Sequence, residues 1–268
     1  MTQEDKDASA VLFTGTTRTG TRAGVKHAAT RIREILGLET DLVGVLLQGP
    51  TDSPTPFANW ERVKSHRYCQ ALMRARKGDR VLLTPEQTAC PAAASAFGFR
   101  ALPDNLASGK GLVGFGIVRA PSTGKAMFDG MARLPAGSVD FIAACPLSPA
   151  PSVPDVVVVE GATESLMWLL LAEVNRTGGK RQVGSTAVLQ ATCVDATVIP
   201  RLEQRMNFSL GCYGCREATD LDTGEAVLGF PGVLLPELAA ALEQLAEKAV
   251  PRSRAKAAYE QMNKTKET

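Results

Sequence analysis

The amino-acid sequence predicts an α/β protein, with a mixed sheet or sheets flanked by helices. Apolar runs of strand length alternate along the chain with amphipathic stretches of helical spacing, which is the pattern of this class. Residues 154–159 (PDVVVV) form a continuous β-branched run, typical of a strand that is buried on both faces. Residues 235–250 place Leu238, Leu242 and Leu245 on one helical face. With 268 residues, 44% of them hydrophobic, the chain is long enough to bury a sizeable core.

Glycines and prolines set the predicted boundaries of the elements. Gly37 closes the first helix as a C-terminal cap, Gly78 ends the second, and Pro85 stands at the first position of a predicted short helix. We expect strands at residues 41–48, 80–83, 141–147, 154–159 and 226–230. We expect helices at residues 25–36, 60–77, 122–132, 164–175, 193–203 and 235–250, two more that start at Thr84 and Cys90, and a Gly- and Cys-rich loop at 207–216.

The domain organisation predicted from these elements is simple. Residues 1–24 form a flexible N-terminal segment, residues 25–250 a single α/β domain, and residues 251–268 a flexible C-terminal tail. A weak internal similarity relates residues 41–100 to residues 155–205, since each runs from a strand through a helix to a cysteine that begins another helix. If the two halves are related, they meet face to face at a cysteine-lined site.

Charge and hydropathy exclude several classes of function. Thirty Lys and Arg residues against 28 Asp and Glu give a net charge of +2, which predicts no affinity for nucleic acid. The longest apolar runs are interrupted by Glu160, Glu164 and Glu173, so we expect no membrane span. No basic patch precedes an apolar stretch near the N-terminus, so we expect a cytoplasmic protein. In a reducing cytoplasm, six cysteines are buried thiols, metal ligands or catalytic thiols rather than disulfides.

The cysteines are the residues most suited to carry chemistry. Cys69 lies inside a predicted helix, Cys90 and Cys193 lie at helix starts, and Cys212 and Cys215 form a CxxC in the glycine-rich loop. A helix N-terminus favours the thiolate, which is the form that binds metal or attacks a substrate. The chain has only two histidines, so its composition favours thiolate-dominated ligation.

Each of these cysteines also has a simpler interpretation. Cys145, inside a strand, is expected to be a small buried hydrophobe, and Cys69 could equally belong to the core. A single CxxC is shared by zinc ribbons, redox thiols and chance. The glycine-spaced residues 111–116 lack the strand–turn–helix context of a dinucleotide loop.

Polar residues near the cysteines are candidates for supporting roles. Gly211 and Gly214 let the main chain approach a cofactor closely, and Ser209 joins them as a candidate cofactor-binding residue. Arg216 can offset the negative charge of a thiolate cluster. His66, three residues before Cys69, is expected on the same helical face, where it could activate the thiol or bind metal. We take His66, Arg216 and Asn207 as the candidate catalytic residues.

Several separated motifs, in the right order, resemble an uncharacterised prokaryotic family, domain of unknown function 169, the archaeal conserved region proteins. The resemblance covers about residues 30–250 and rests on the following pieces: Tyr68-Cys69-Gln70 with Gly78, Cys90 with Gly98, Pro146-Leu147 with residues 154–158, Cys193, and residues 207–216 (NFSLGCYGCR). The resemblance implies that Cys69, Cys90, Cys193 and Cys212 act together, with Cys215 as a spare or replacement ligand. It implies no particular reaction.

Three functions are compatible with this sequence. The first is a [4Fe–4S] protein with redox or Lewis-acid activity on an unknown small-molecule substrate or towards an electron-transfer partner. Its cluster is held by three or four of the cysteines Cys69, Cys90, Cys193, Cys212 and Cys215. The second is a zinc-stabilised binding or regulatory domain without catalysis. The third is a metal-free thiol enzyme that uses the Cys212/Cys215 pair, or Cys69 with His66.

Overall fold

A seven-stranded sheet runs through the part of the chain that the computed structural model describes, residues 21–254. Its strands lie in the order β2-β3-β4-β1-β5-β7-β6, and every neighbouring pair is antiparallel except β2 and β3. The strands are β1 (Val43–Gln48), β2 (Glu61–Arg62), β3 (Val81–Leu83), β4 (Phe141–Pro146), β5 (Val156–Ala162), β6 (Asn207–Ser209) and β7 (Glu225–Pro231). The predicted α/β class with a mixed sheet is therefore confirmed.

Helices connect these strands and cover both faces of the sheet. The α-helices are α1 (Arg22–Leu36), α2 (Tyr68–Arg76), α3 (Pro91–Ala96), α4 (Asp104–Ala107), α5 (Lys110–Gly114), α6 (Pro121–Asp129), α7 (Thr163–Thr177), α8 (Ile199–Glu203), α9 (Tyr213–Ala218) and α10 (Leu235–Arg254). A π-helix, Ala191–Val198, precedes α8 without a break. Among residues 21–254, no helix is long and apolar enough to cross a membrane.

The two faces of the sheet pack against different helices, and β5 shows the division. Val156 and Val158 point into a core shared with α2, α3 and the π-helix. Val157 and Val159 point into a second core shared with α1, α7 and α10. Alternate residues of a strand face opposite sides, so a strand covered on both sides reads as the continuous apolar run seen in the sequence. Cys145, fully buried in β4, belongs to the second core, as expected of a small hydrophobe.

The predicted helix at residues 60–77 is wrong in its first half. Glu61 and Val63 donate their backbone N–H groups to Arg80 and Leu82, so this segment pairs with β3 as the edge strand β2. The helix begins only at Tyr68. His66 lies before it, in an isolated bridge to Thr88, and does not share a helical face with Cys69. A backbone that pairs with a strand cannot also form helical hydrogen bonds, and the helical spacing of the side chains does not reveal this choice.

Other local predictions also need correction. The helix expected at Thr84 is a turn in which the Thr88 hydroxyl donates to the Thr84 carbonyl, and residues 207–216 hold β6 and the start of α9 rather than a loop. The helix expected to start at Cys193 starts at Ala191 and is a π-helix in its first part. The sequence analysis left α4 and α5 unassigned.

The predicted domain ends fall partly outside the described residues. Residues 1–20 and 255–268 are not described, whereas α1 begins at Arg22 and α10 continues to Arg254. The relation between two halves stays a prediction. In the structure the two halves meet edge to edge, through the antiparallel pairing of β1 and β5 in one sheet.

Candidate functional site

Five of the six cysteines line one cavity of about 450 Å³, on the face of the sheet that packs against α2, α3 and the π-helix. They come from four separate segments of the chain and are Cys69, Cys90, Cys193, Cys212 and Cys215. All are buried except Cys90, which is half-buried. The structure therefore brings together all the predicted ligand cysteines and leaves Cys145 on the opposite face.

Short helices begin at this cavity and set the positions of three thiols. Cys90 is the N-cap of α3 and Cys212 the N-cap of α9, and Cys69 lies in the first turn of α2. The Cys212 sulfur accepts the backbone N–H of Cys215 at 3.3 Å, as a capping side chain does. The cysteines thus stand where unpaired N–H groups and the positive helix end stabilise negative charge.

The CxxC pair is the tightest contact within the cluster. The Cys212 thiol donates to the Cys215 sulfur at a distance of 3.1 Å, and the Thr192 hydroxyl lies 3.3 Å from the same sulfur. Cys69 packs against both cysteines together with Ala191. Cys69, Cys212 and Cys215 therefore form one small cluster, and Thr192 contacts it through the Cys215 sulfur.

The π-helix carries Cys193 and is held unusually close to the sheet. A Cβ placed on Gly229 of β7 would lie 1.8 Å from the carbonyl oxygen of Ala196, so only glycine permits this approach. Leu189, two residues before the π-helix, has a φ of 53° and lines the cavity. Leucine rarely adopts this left-handed conformation, and such local strain is concentrated at functional sites.

Burial and contacts between the thiols raise the pKa values of four of the five cysteines, which favours their neutral form in the protein alone. Burial raises the pKa of Cys90, and raises that of Cys193 well above its usual range, with the neighbouring thiols adding to the effect on Cys193. The pKa of Cys212 is raised first by the hydrogen bond that its thiol donates to Cys215 and then by burial. The same bond lowers the pKa of Cys215, but contact with Cys69 and burial outweigh it and bring this pKa to about 11. Any thiolate ligand formed here must therefore release a proton.

A polar network beside the π-helix accounts for two of the predicted site residues. Asn207 donates to the carbonyls of Gly184 and Asp195, at 2.9 and 2.8 Å. Ser209 donates to the Asp195 carboxylate at 3.0 Å, and Thr186 donates to it through its N–H and its hydroxyl. Burial raises the pKa of Asp195 to about 6, although these hydrogen bonds oppose it. The network ties residues 184–186 and β6 to the π-helix, and neither Asn207 nor Ser209 lines the cavity.

The remaining predicted residues divide between the cavity and the loop around it. Gly214 lines the cavity, whereas Gly211, with a φ of 81°, shapes the turn before Cys212. Arg216 donates to the carbonyls of Leu210, Asp222 and Glu225, so its guanidinium braces the chain rather than the thiols. His66 lies outside the cavity lining, with its Nδ1 2.6 Å from the carbonyl oxygen of Lys64. The catalytic roles of His66, Arg216 and Asn207 stay predictions.

The structure adds a cation and an apolar wall that the sequence analysis missed. Arg67 lines the cavity and donates through Nη1 to the carbonyl of Gly214 at 2.9 Å. The apolar lining includes Pro103, Leu106, Phe115 and Leu189, and Phe115 is 70% exposed at the rim. The sequence analysis assigned no helix or strand to residues 103–115, and the contact of Arg67 with Gly214 joins positions that are 147 residues apart.

The five thiols are the metal-binding donors of the cavity. Among residues 21–254, no three His, Cys, Asp or Glu side chains already converge on a single point as ligands of one ion. The five thiols are instead distributed around the cavity. Thiolate donors with N–H groups and a cation nearby suit soft metals and iron–sulfur clusters by their chemistry.

The fold and the cavity together define an α/β protein with a thiol-lined cavity of small-molecule size. The sequence profile of domain of unknown function 169, described as uncharacterised ArCR, matches residues 31–241, and the chain belongs to this family. The chain is also similar to the uncharacterized protein MJ0308 of Methanocaldococcus jannaschii, at 26% identity over 222 residues, covering 82% of this chain and 94% of the relative. No solved structure matches the chain.

Proposed function

We propose that the cavity holds a cysteine-ligated metal centre, a [4Fe–4S] cluster, in a cytoplasmic enzyme that acts on a small molecule or exchanges electrons with a partner. The observation that supports this most directly is the convergence of five cysteines from four chain segments on one cavity. Cys69, Cys90, Cys193 and Cys212 are the proposed ligands, with Cys215 as a replacement. A buried thiol is usually an isolated small hydrophobe, so five around one cavity need a further reason.

The size of the cavity favours a cluster over zinc. A structural zinc ion draws four ligands to about 2.1–2.3 Å in a closed tetrahedron. Here the thiols surround a space of about 450 Å³, which suits a group larger than one ion. The cavity lining includes no histidine or carboxylate, so the five thiols are its main metal-binding donors. A zinc-stabilised binding domain is the alternative that metal analysis would reveal.

The side chains around the thiols would control the properties of the centre. A bound cluster supplies either electron transfer or, with one ligand position open, a Lewis acid. Thr192 offers a hydroxyl to the Cys215 sulfur, and Arg67 places positive charge beside Cys90. The apolar wall that includes Leu106 and Leu189 excludes water and lowers the local polarity.

The test is the metal content of anaerobically purified protein and its single Cys→Ala variants. Wild-type protein should be brown, with a broad absorption band at roughly 400 nm and on the order of four irons per chain. Cys90→Ala and Cys193→Ala should each lose most of the iron because they remove a ligand. Cys145→Ala is the matched control, since it removes a buried thiol of the opposite face. About one zinc per chain, or equal iron in Cys145→Ala and the other variants, would refute the proposal.

A second candidate function rests on the contact between Cys212 and Cys215. Their sulfurs are 3.1 Å apart at the start of α9, the arrangement of a redox-active dithiol. In this reaction the two thiols form a disulfide while a substrate disulfide takes up the two electrons and two protons. The measurement is redox titration of metal-free protein followed by mass spectrometry. Loss of the two thiol hydrogens at Cys212 and Cys215, absent in Cys212→Ser, would favour this function.

A further inference from the structure

We propose that the cavity binds a small organic anion with an apolar body, whose anionic end is held by Arg67. As a substrate class for the metal centre this assignment rests on the function proposed above. As a binding site it stands on the geometry of the cavity alone, because it uses Arg67 and the apolar wall rather than the thiols. The two ideas can therefore fail separately.

Arg67 is fixed in position by its contacts with two helices. Its backbone N–H donates to Oε1 of Gln70 at 2.9 Å, and Gln70 in turn donates to the carbonyl of Ala218 at 3.1 Å. Its own Nη1 donates to the carbonyl of Gly214 at 2.9 Å. These bonds join α2 to α9 and leave the rest of the planar guanidinium at the cavity.

Arg67 differs from the arginines that follow it on α2. Arg74 pairs with Glu61 and Asp79, and Arg76 pairs with Glu225. Among the described residues, no carboxylate forms an ion pair with Arg67. The guanidinium of Arg67 is half-buried and makes one hydrogen bond, to a neutral carbonyl, so it has lost contact with water without gaining a negative partner. An anion that enters the cavity would supply the negative charge.

Apolar side chains make up much of the rest of the cavity lining and define the body of the ligand. Pro103, Leu106 and Leu189 line the cavity, and Phe115 stands 70% exposed at its rim. A large exposed aromatic side chain beside a cavity marks a surface that a ligand can cover. One fixed cation among apolar walls selects an amphiphilic anion, and the planar fork of arginine matches the geometry of a carboxylate.

The wall is formed before any ligand arrives. Gly109, just after α4, and Gly124 of α6 pack so closely that a Cβ on Gly124 would lie 2.9 Å from the Gly109 Cα. This contact holds the chain after α4, which carries Leu106, against α6. A preformed wall loses little conformational freedom when a small ligand binds.

The test is calorimetric titration of anaerobically purified protein with straight-chain carboxylates from butanoate to octanoate. We expect at least one to bind, and the alcohol of the same chain length to bind roughly ten- to a hundredfold more weakly, because it lacks the charge-assisted bonds to Arg67. Arg67→Met should weaken the carboxylate by a similar factor. Arg100→Met is the matched control, since the guanidinium of Arg100, like that of Arg67, donates to backbone carbonyls but lies outside this cavity.

Each outcome decides between specific alternatives. If no carboxylate binds, or if the alcohol binds as well as the carboxylate, the inference is wrong even where Arg67→Met fails to fold. If Arg67→Met lowers iron content but the wild type binds no carboxylate, Arg67 only offsets cluster charge and the inference fails while the proposed function stands. If metal-free wild-type protein binds the carboxylate and takes up no iron, the binding site stands and the metal centre is refuted.

Discussion

The contact between Gly229 and the π-helix allows a prediction whose size follows from the structure. In Gly229→Ala the new Cβ would lie 1.8 Å from the Ala196 carbonyl oxygen, 2.5 Å from its carbonyl carbon and 2.9 Å from its Cα. Real Cβ contacts are essentially never shorter than 3.0 Å, so the π-helix must move away by about an ångström. All three clashing atoms are backbone, so no side-chain rotation relieves them.

We expect Gly229→Ala to lower the free energy of unfolding by about 3 kcal/mol, the upper end of the range for overpacked cores. The assay is urea unfolding followed by the fluorescence of Trp60 and Trp168, in which the midpoint should fall by roughly 1 M or more. Displacement of the π-helix should also expose Cys193. Alkylation of Cys193 by iodoacetamide, quantified by peptide mass spectrometry, should therefore be faster than in the wild type.

The control is Gly224→Ala, because Gly224 is exposed in the turn before β7 and has no heavy atom within 4 Å of a built Cβ. It should unfold at the wild-type urea concentration. Equal midpoints for Gly229→Ala and Gly224→Ala would show that the π-helix does not pack on β7 as described. A lower midpoint with unchanged Cys193 alkylation would show that the strain is relieved away from the site.

Three further changes test the surroundings of the cavity. Burial raises the pKa of Glu160 to about 7, while Arg76 opposes the shift, so folding favours the protonated carboxyl. The stabilisation that this carboxyl gives the wild type is therefore full below about pH 4.5 and is lost as the pH rises through about 7. Glu160→Gln should remove this pH dependence of the free energy of urea unfolding, and an unchanged pH dependence would contradict the reasoning. Asn207→Ala removes bonds to Gly184 and Asp195 and should cost about 3 kcal/mol while folded protein keeps its metal content; loss of metal with normal stability would instead favour a direct role at the site. Gly109→Ala would place a Cβ 2.0 Å from the Pro121 carbonyl at a φ of 75°, so it should weaken carboxylate binding by loosening the wall, which calorimetry would measure; wild-type affinity would contradict this.

The strands that are buried on both faces were predictable because their apolar pattern is local. The β-branched run became β5, and Cys145 was correctly assigned to the core from its position within a strand. The helix start at Cys90 was predictable because Pro91 marks it, whereas the loop expected at Cys212 is the start of α9. The grouping of the cysteines was expected from the resemblance to the family, not from local pattern.

The parts that were missed depend on contacts between distant residues. The segment at 61–63 has helical spacing, but pairing with β3 made it a strand, and this removed His66 from the face of Cys69. Arg216 and Arg67 are both arginines near the cysteines in space. Only tertiary contacts show that Arg216 braces carbonyls of its own loop while Arg67 faces the cavity. Local sequence carries no signal for that difference.

The place of β7 in the sheet sets the order in which the site can be assembled during translation. β7 pairs with β5 on one side and with β6 on the other, although it is the last strand of the described chain to be synthesised. Until residues 225–231 have left the ribosome, β6 has no neighbour and the π-helix has no Gly229 to rest on. A nascent chain that already carries all five cysteines therefore cannot yet present them around one cavity, which forms only when the sheet is complete.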